Sequence, residues 1–144
     1  MEIIDAHAHI YPEKIAKKAT ETIGEFYDIK MELPAGTPEQ LIEDGKKANI
    51  SKYIVHSCAT KKQQVRSINE FVCKEVDSHS EFVGFMTLHQ DMSEEEISSE
   101  VDWCIEKGFK GIKLHPDFQR FYIDEDDAKK IYRIVESQGE VLYP

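Results

Sequence analysis

Residues 52–89 read KYIVHSCATKKQQVRSINEFVCKEVDSHSEFVGFMTLH. A short apolar run, Tyr53–Val55, gives way after Ser57 and Cys58 to a longer stretch in which Val65, Ile68, Val72 and Val76 recur at helical spacing. Thr60 and Gln63 have the spacing of a capping box at its start. A second apolar run, Phe82–Met86, follows. Both runs are apolar on both faces, as strands are when helices cover a parallel sheet. The stretch is a strand–helix–strand unit, and it sets the fold class as α/β.

The unit repeats outward in both directions. Upstream, TPEQLIEDGKKAN (37–49) predicts a helix opened by Thr37 and Gln40. Downstream, SEEEISSEVDWCIEKG (93–108) predicts a helix with Ser93 and Glu96 as its box. It turns Ile97, Val101, Cys104 and Ile105 inward and ends on Gly108, where a left-handed residue is wanted. KGIKLHP (110–116) is the next strand. DEDDAKKIYRIVESQG (124–139) opens on Asp124, packs Ala128, Ile131 and Val135, and stops at Gly139. VLYP (141–144) supplies a fifth strand. At the other end, MEIIDAHAHIYP (1–12) is the first strand. It leads into YPEKIAKKATETIGEFY (11–27), where Ile15, Ala19, Ile23 and Phe26 have helical spacing and Pro12 suits a first turn. Residues 11–36 form an excursion after this strand: a lid or substrate wall, or else a surface decoration.

The count is four β/α units plus a fifth strand in one domain spanning 1–144. A closed (β/α)8 barrel takes about 250 residues, so this is roughly half of one. The competing small open sheet lacks its phosphate-binding signatures, since neither a GxGxxG nor a P-loop is present.

Composition narrows the partners. The 144 residues are 40 % hydrophobic and 32 % charged, as in a soluble globular chain, with a formal net charge of −10. No basic patch exists to neutralise phosphate, which argues against nucleic acid and anionic membranes. Cys58, Cys73 and Cys104 are odd in number and form no CxxC, as expected of reduced thiols in a cytoplasmic protein. No apolar run approaches the roughly 20 residues of a membrane span, and the acidic N-terminus shows no export signal.

The first strand raises the functional question. Alternation puts Asp5, His7 and His9 on one face and Ile4, Ala6, Ala8 and Ile10 on the other. In a sheet covered by helices the polar face needs a purpose. Same-face spacing lets two imidazoles converge on one divalent ion, most suitably zinc, which acidifies a coordinated water. Asp5 either holds an imidazole tautomer or bonds neighbouring backbone. Active sites of parallel barrels lie at the C-terminal strand ends. There His7 and His9 are joined by His56, by His89, and by Lys113 with His115; of the six histidines only His79 falls elsewhere. A single strand-end histidine such as His56 or His89 is more often a satisfied rim residue than a ligand.

The segments IDAHAHIYP, HSCATKKQQVRSINEFV, GFMTLHQDMSEEE and GFKGIKLHPDFQRFYID resemble the amidohydrolase superfamily, in its amidohydrolase-2 branch. These are metal-dependent TIM-barrel hydrolases and decarboxylases. The resemblance runs through nearly the whole chain and implies a partial TIM barrel acting on a small organic substrate by hydrolysis or decarboxylation. It implies that His7 and His9 are first-strand metal ligands. Lys113 matches the fourth-strand position that is a carboxylated lysine in binuclear members, or it reaches solvent. His115, on the same face as Lys113, is a candidate catalytic residue at the mouth. Family members continue with histidines on strands five and six and a general-base aspartate on strand eight, which have no counterpart before Pro144. The expectation is therefore a truncated, N-terminal portion of such an enzyme. Two other readings stand beside it: a non-catalytic half-barrel that self-associates through open sheet edges, and a metal phosphoesterase with HxH on its first strand. The serine–aspartate–glycine that usually follows HxH in the latter is missing here.

Overall fold

The computed structural model describes residues 2–31 and 36–138. Four strands alternate with helices: β1 (Ile3–His9), α1 (Glu13–Tyr27), α2 (Pro38–Lys47), β2 (Ile50–His56), α3 (Val65–Ser78), β3 (Phe82–Thr87), α4 (Glu94–Glu106), β4 (Gly111–Lys113), α5 (Pro116–Gln119) and α6 (Asp126–Ser137). The strands are parallel and lie in the order β1-β2-β3-β4, a curled half-barrel. The fifth strand expected at 141–144 and the stop at Gly139 lie outside the described residues.

The periodic positions build the core. Val65 and Val72 from α3, Ile97, Val101 and Cys104 from α4, and Ile131 and Val135 from α6 share one buried cluster with Val55 of β2 and Met86 of β3, and Ala128 of α6 is buried as well. Ser93 caps α4 as a full box with Glu96, and Thr37 accepts from the Gln40 N–H at 3.3 Å. Gly108, at φ 84°, takes the left-handed position that ends α4.

Two local expectations are corrected. A 3-10 turn, Lys62–Gln64, precedes α3, so the capping side chain is that of Gln64 rather than Gln63. It accepts from the N–H groups of Thr60 and Lys61 at 3.0 and 3.2 Å. The N-cap of α6 is Glu125, one residue after Asp124. Helix α1 forms where the spacing of Ile15, Ala19, Ile23 and Phe26 predicts it, and packs through the small seam Ala16, Thr20 and Gly24. A Cβ on Gly24 would stand 2.8 Å from the Ile29 carbonyl oxygen, so the seam admits only a small residue there. The large stripe of Ile15, Ala19 and Ile23 lines an open groove instead, and Ile15 and Phe26 are each 50 % exposed.

Two buried polar residues brace the strand ends. Asn69 of α3 donates to the Thr87 carbonyl (3.0 Å) and to Glu100 (2.8 Å), and accepts from the Thr87 N–H (2.8 Å). Glu100 also meets Arg66 at 2.9 Å. Gln119 of α5 donates to the carbonyls of Ala59 (3.0 Å) and Leu88 (2.7 Å) and accepts from the His115 N–H (2.8 Å). One amide therefore ties together the segments that follow β2, β3 and β4.

Candidate metal centre

The β1–β2 ladder places the site. Asp5 pairs with Tyr53, Ala8 with Val55 and His9 with His56. An unbroken register from Asp5 would set His9 against Ser57. The ladder shifts by one residue between Ile3 and Ile4 and shifts back between Asp5 and Ala8, so His9 meets His56 in the same register that pairs Ile3 with Ile50.

The consequence is a cluster of three imidazoles. Ring centroids of His7 and His9 lie 5.2 Å apart, those of His7 and His56 4.8 Å, and those of His9 and His56 4.4 Å. One nitrogen from each lies within 4.8 Å of the other two. His7 is exposed, His9 half-buried and His56 buried, so the cluster runs from the surface inward.

Electrostatics keeps all three neutral. Burial, then the neighbouring His9 and Lys113, push the His56 imidazole down to about 2. Burial, then Lys113, hold His9 down to about 4. His7 is lowered by burial and Lys113, against a smaller opposing pull from Asp5. Neutral imidazoles offer lone pairs, which is the form a metal takes.

The donor set fits a small divalent cation. The Nε2 atoms of His7 and His9 are 3.2 Å apart, close to the about 3.3–3.4 Å edge of a tetrahedron with nitrogen ligands at about 2.0–2.1 Å. Nδ1 of His56 is buried and has no hydrogen-bond partner among the described residues, a cost unless something else engages it. The Tyr11 hydroxyl lies 3.2 Å from His9 Nδ1. As acceptor of an Nδ1–H it selects the tautomer with a bare Nε2, the arrangement metal-binding histidines favour. Tyr11 went unnoticed in the sequence, where only the HxH pattern stood out.

The remaining predicted residues divide. Lys113, at the end of β4, brings Nζ to 3.2 Å from His7 Nε2, and burial lowers its pKa. The Asp5 carboxylate accepts from the His7 backbone N–H at 3.0 Å, the backbone alternative of its two readings. His115 stands apart from the trio. Its Nδ1 accepts from the Phe118 N–H (3.4 Å), so its Nε2 carries the proton and donates to the Tyr27 hydroxyl (2.9 Å), linking α5 to the end of α1. His89 is buried, with Nδ1 accepting from the Asp91 N–H at 3.2 Å, a satisfied rim residue. The residue that strand-end position alone could not single out is His56, and the register finds it.

Two cavities flank the cluster. One, of about 600 Å³, has His7, His56, Lys113, Phe85 and Tyr132 in its wall. The other, of about 550 Å³, runs from His9 and Tyr11 along the Ile15–Ile23 face of α1 to Phe118. Mostly apolar walls with a few convergent polar groups are the usual make-up of a small-molecule site.

No protein-family model matches the chain, and no curated protein matches it. Solved structures do. A 5-carboxyvanillate decarboxylase from Novosphingobium aromaticivorans, complexed with manganese and 4-hydroxy-3-methoxy-5-nitrobenzoic acid, superposes with a TM-score of 0.73 at 18 % identity. The match covers 99 % of this chain and 49 % of that one. A protein named amidohydrolase II matches with a TM-score of 0.70 at 13 % identity, over 98 % and 49 %. A 2,6-dihydroxybenzoate decarboxylase complexed with 2,6-dihydroxybenzoate matches with a TM-score of 0.64 at 13 % identity, over 97 % and 48 %. The chain thus spans about half the length of the structures it matches. The likeness establishes the fold.

Proposed function

We propose that residues 1–144 are the N-terminal, metal-holding half of an amidohydrolase-2-type barrel that hydrolyses or decarboxylates a small organic substrate. His7, His9 and His56 hold the ion, zinc by preference for imidazole nitrogen. The observation that carries the reading is the convergence of three neutral imidazoles, one of which, His56, has a buried Nδ1 with no hydrogen-bond partner among the described residues. Support comes from two sides. The sequence resembles that branch at HxH and GFKGIKLHP, and the folds it matches include decarboxylases, one complexed with manganese.

The ion's contribution, when bound, is to acidify water and polarise a carboxyl or carbonyl group. The chain's own residues prepare for it. Tyr11 fixes the His9 tautomer, and Asp5 ties down the His7 backbone at the slip in the ladder. Lys113 lowers the affinity of the neighbouring imidazoles for protons, keeping them available as ligands. As a fourth donor it would have to lose its charge, and its partial burial favours that. His115 would act at the mouth from its anchored position beside Tyr27. Three unpaired cysteines suit a cytoplasmic setting, and no described helix is long and apolar enough to cross a membrane.

Zinc titration by calorimetry tests the reading. Loss of one equivalent of bound zinc in the His7→Ala, His9→Ala double variant supports it; an unchanged stoichiometry in that variant defeats it. A second reading, self-association of half-barrels, draws on the edge positions of β1 and β4 among the described residues and on the exposure of Ile3 and Ile4. Sedimentation at several concentrations separates a self-associating chain from a monomer.

A further inference from the structure

A second set of donors lies outside the histidine trio. Glu39 is in the first turn of α2, Glu75 in the last turn of α3, and His79 caps α3. One donor atom from each falls within 4.8 Å of the others. His79 Nε2 is 3.5 Å from Glu75 Oε2, beyond the range of a good hydrogen bond.

Glu75 is the anomaly. It is only 9 % exposed. Among the described residues no lysine or arginine forms an ion pair with it or with Glu39, and no N–H or O–H donates to either carboxylate. Glu75 also sits at the C-terminal end of α3, where the helix dipole is negative and repels an anion. A carboxylate withdrawn from water at the wrong helix end, beside a second carboxylate, is costly without a cation. His79 is the neighbouring side chain that faces it, at 3.5 Å. The space in front holds more: a cavity of about 350 Å³ has Glu39, Glu75 and a third carboxylate, Glu13, in its wall, together with Thr37 and Tyr11.

We propose that Glu39, Glu75 and His79 form a second divalent-cation site, a staple joining the start of α2 to the end of α3. Two carboxylates and one imidazole, with room for water, form a donor set zinc accepts with an open position. The imidazole disfavours calcium and magnesium, which take oxygen ligands. Donor atoms around zinc stand about 3.3 Å apart, so the cluster must tighten on binding. Glu39, exposed at a helix start, has the rotamer freedom to do so.

The test removes the first site and counts what remains. The His7→Ala, His9→Ala, His56→Ala variant is dialysed against zinc chloride and its metal content measured, with circular dichroism confirming the fold. About one equivalent should remain, and zinc should raise the thermal midpoint. Adding Glu39→Gln, a surface change that leaves the fold intact, should abolish both, and His79→Gln should do the same. A folded triple variant that retains no zinc overturns the site, as does zinc retained equally after both further substitutions. If the triple variant does not fold, the wild-type chain decides: its zinc content must fall by about one equivalent on Glu39→Gln, and an unchanged content overturns the proposal. Loss of binding at the histidine trio leaves this outcome untouched, so the two sites stand or fall separately.

Discussion

His9 faces His56 across the β1–β2 ladder, with ring centroids 4.4 Å apart and planes nearly perpendicular at 87°. This pairing, in the register that also sets Ile3 against Ile50, turns the HxH of β1 into a three-imidazole centre. Substituting His56 should therefore matter as much as substituting an HxH histidine. His56→Ala is expected to weaken zinc binding at the trio at least tenfold in competition with a chromophoric chelator. The metal-free variant should still fold, because the lost Nδ1 has no partner to abandon among the described residues.

The lowered pKa values fix how acid acts on the metal-free chain. An unfolded histidine titrates near 6.5, whereas His9 in the fold holds out to about 4 and His56 to about 2. Below pH 6.5 the unfolded chain binds protons that the folded chain refuses, so stability falls as pH falls. The loss for His9 runs from about 6.5 down to about 4, and for His56 it continues towards 2. Each such group contributes a slope of up to about 1.4 kcal/mol per pH unit. Urea midpoints measured with chelator between pH 7 and pH 4.5 should drop. The drop should be shallower in the His9→Ala, His56→Ala variant; equal slopes would refute the linkage.

Lys113 lowers the proton affinity of His7, His9, His56 and His115 alike. Lys113→Met removes that charge while keeping most of the side-chain volume. His7, the most exposed of the trio, should then titrate at higher pH, as read from its ring proton shifts by NMR. An unmoved His7 titration would mean that the 3.2 Å contact to Lys113 does not persist in solution.

Gln119 predicts a purely structural effect. Gln119→Leu keeps the volume but leaves the carbonyls of Ala59 and Leu88 and the His115 N–H without their partner. Each buried group left unsatisfied costs about 1–3 kcal/mol. A loss of about 3 kcal/mol in urea unfolding is expected, with amide exchange accelerating after β2, β3 and β4 together. A loss below about 1 kcal/mol would show that the amide does not clamp the three segments.

The parts of this molecule legible in the sequence are those with a period. Val65, Val72, Ile97, Val101, Ile131 and Val135 announced their helices and their buried faces. His7 and His9 announced a shared face because a strand alternates. Pairing between strands has no such period. The register of β1 on β2 decides that His56 meets His9, and no residue type marks it, so His56 reads as an ordinary strand-end histidine. The packing face of α1 carries no such mark either. Large apolar residues signal burial, yet α1 packs on its small ones, where close approach is won, and leaves Ile15 and Ile23 to line a groove. The short α5 carries too little pattern to be seen, so Gln119 was invisible until the segments it joins were placed.

The central claim concerns three rings, and ring-resolved NMR reads it directly. With histidine ring nitrogens labelled, zinc is titrated into the chain and each imidazole is followed by name. Resonances of His7, His9 and His56 should move together and saturate at one shared equivalent, with His89 and His115 unmoved. Zinc that shifts His115 or His89 while leaving His56 in place would contradict the account.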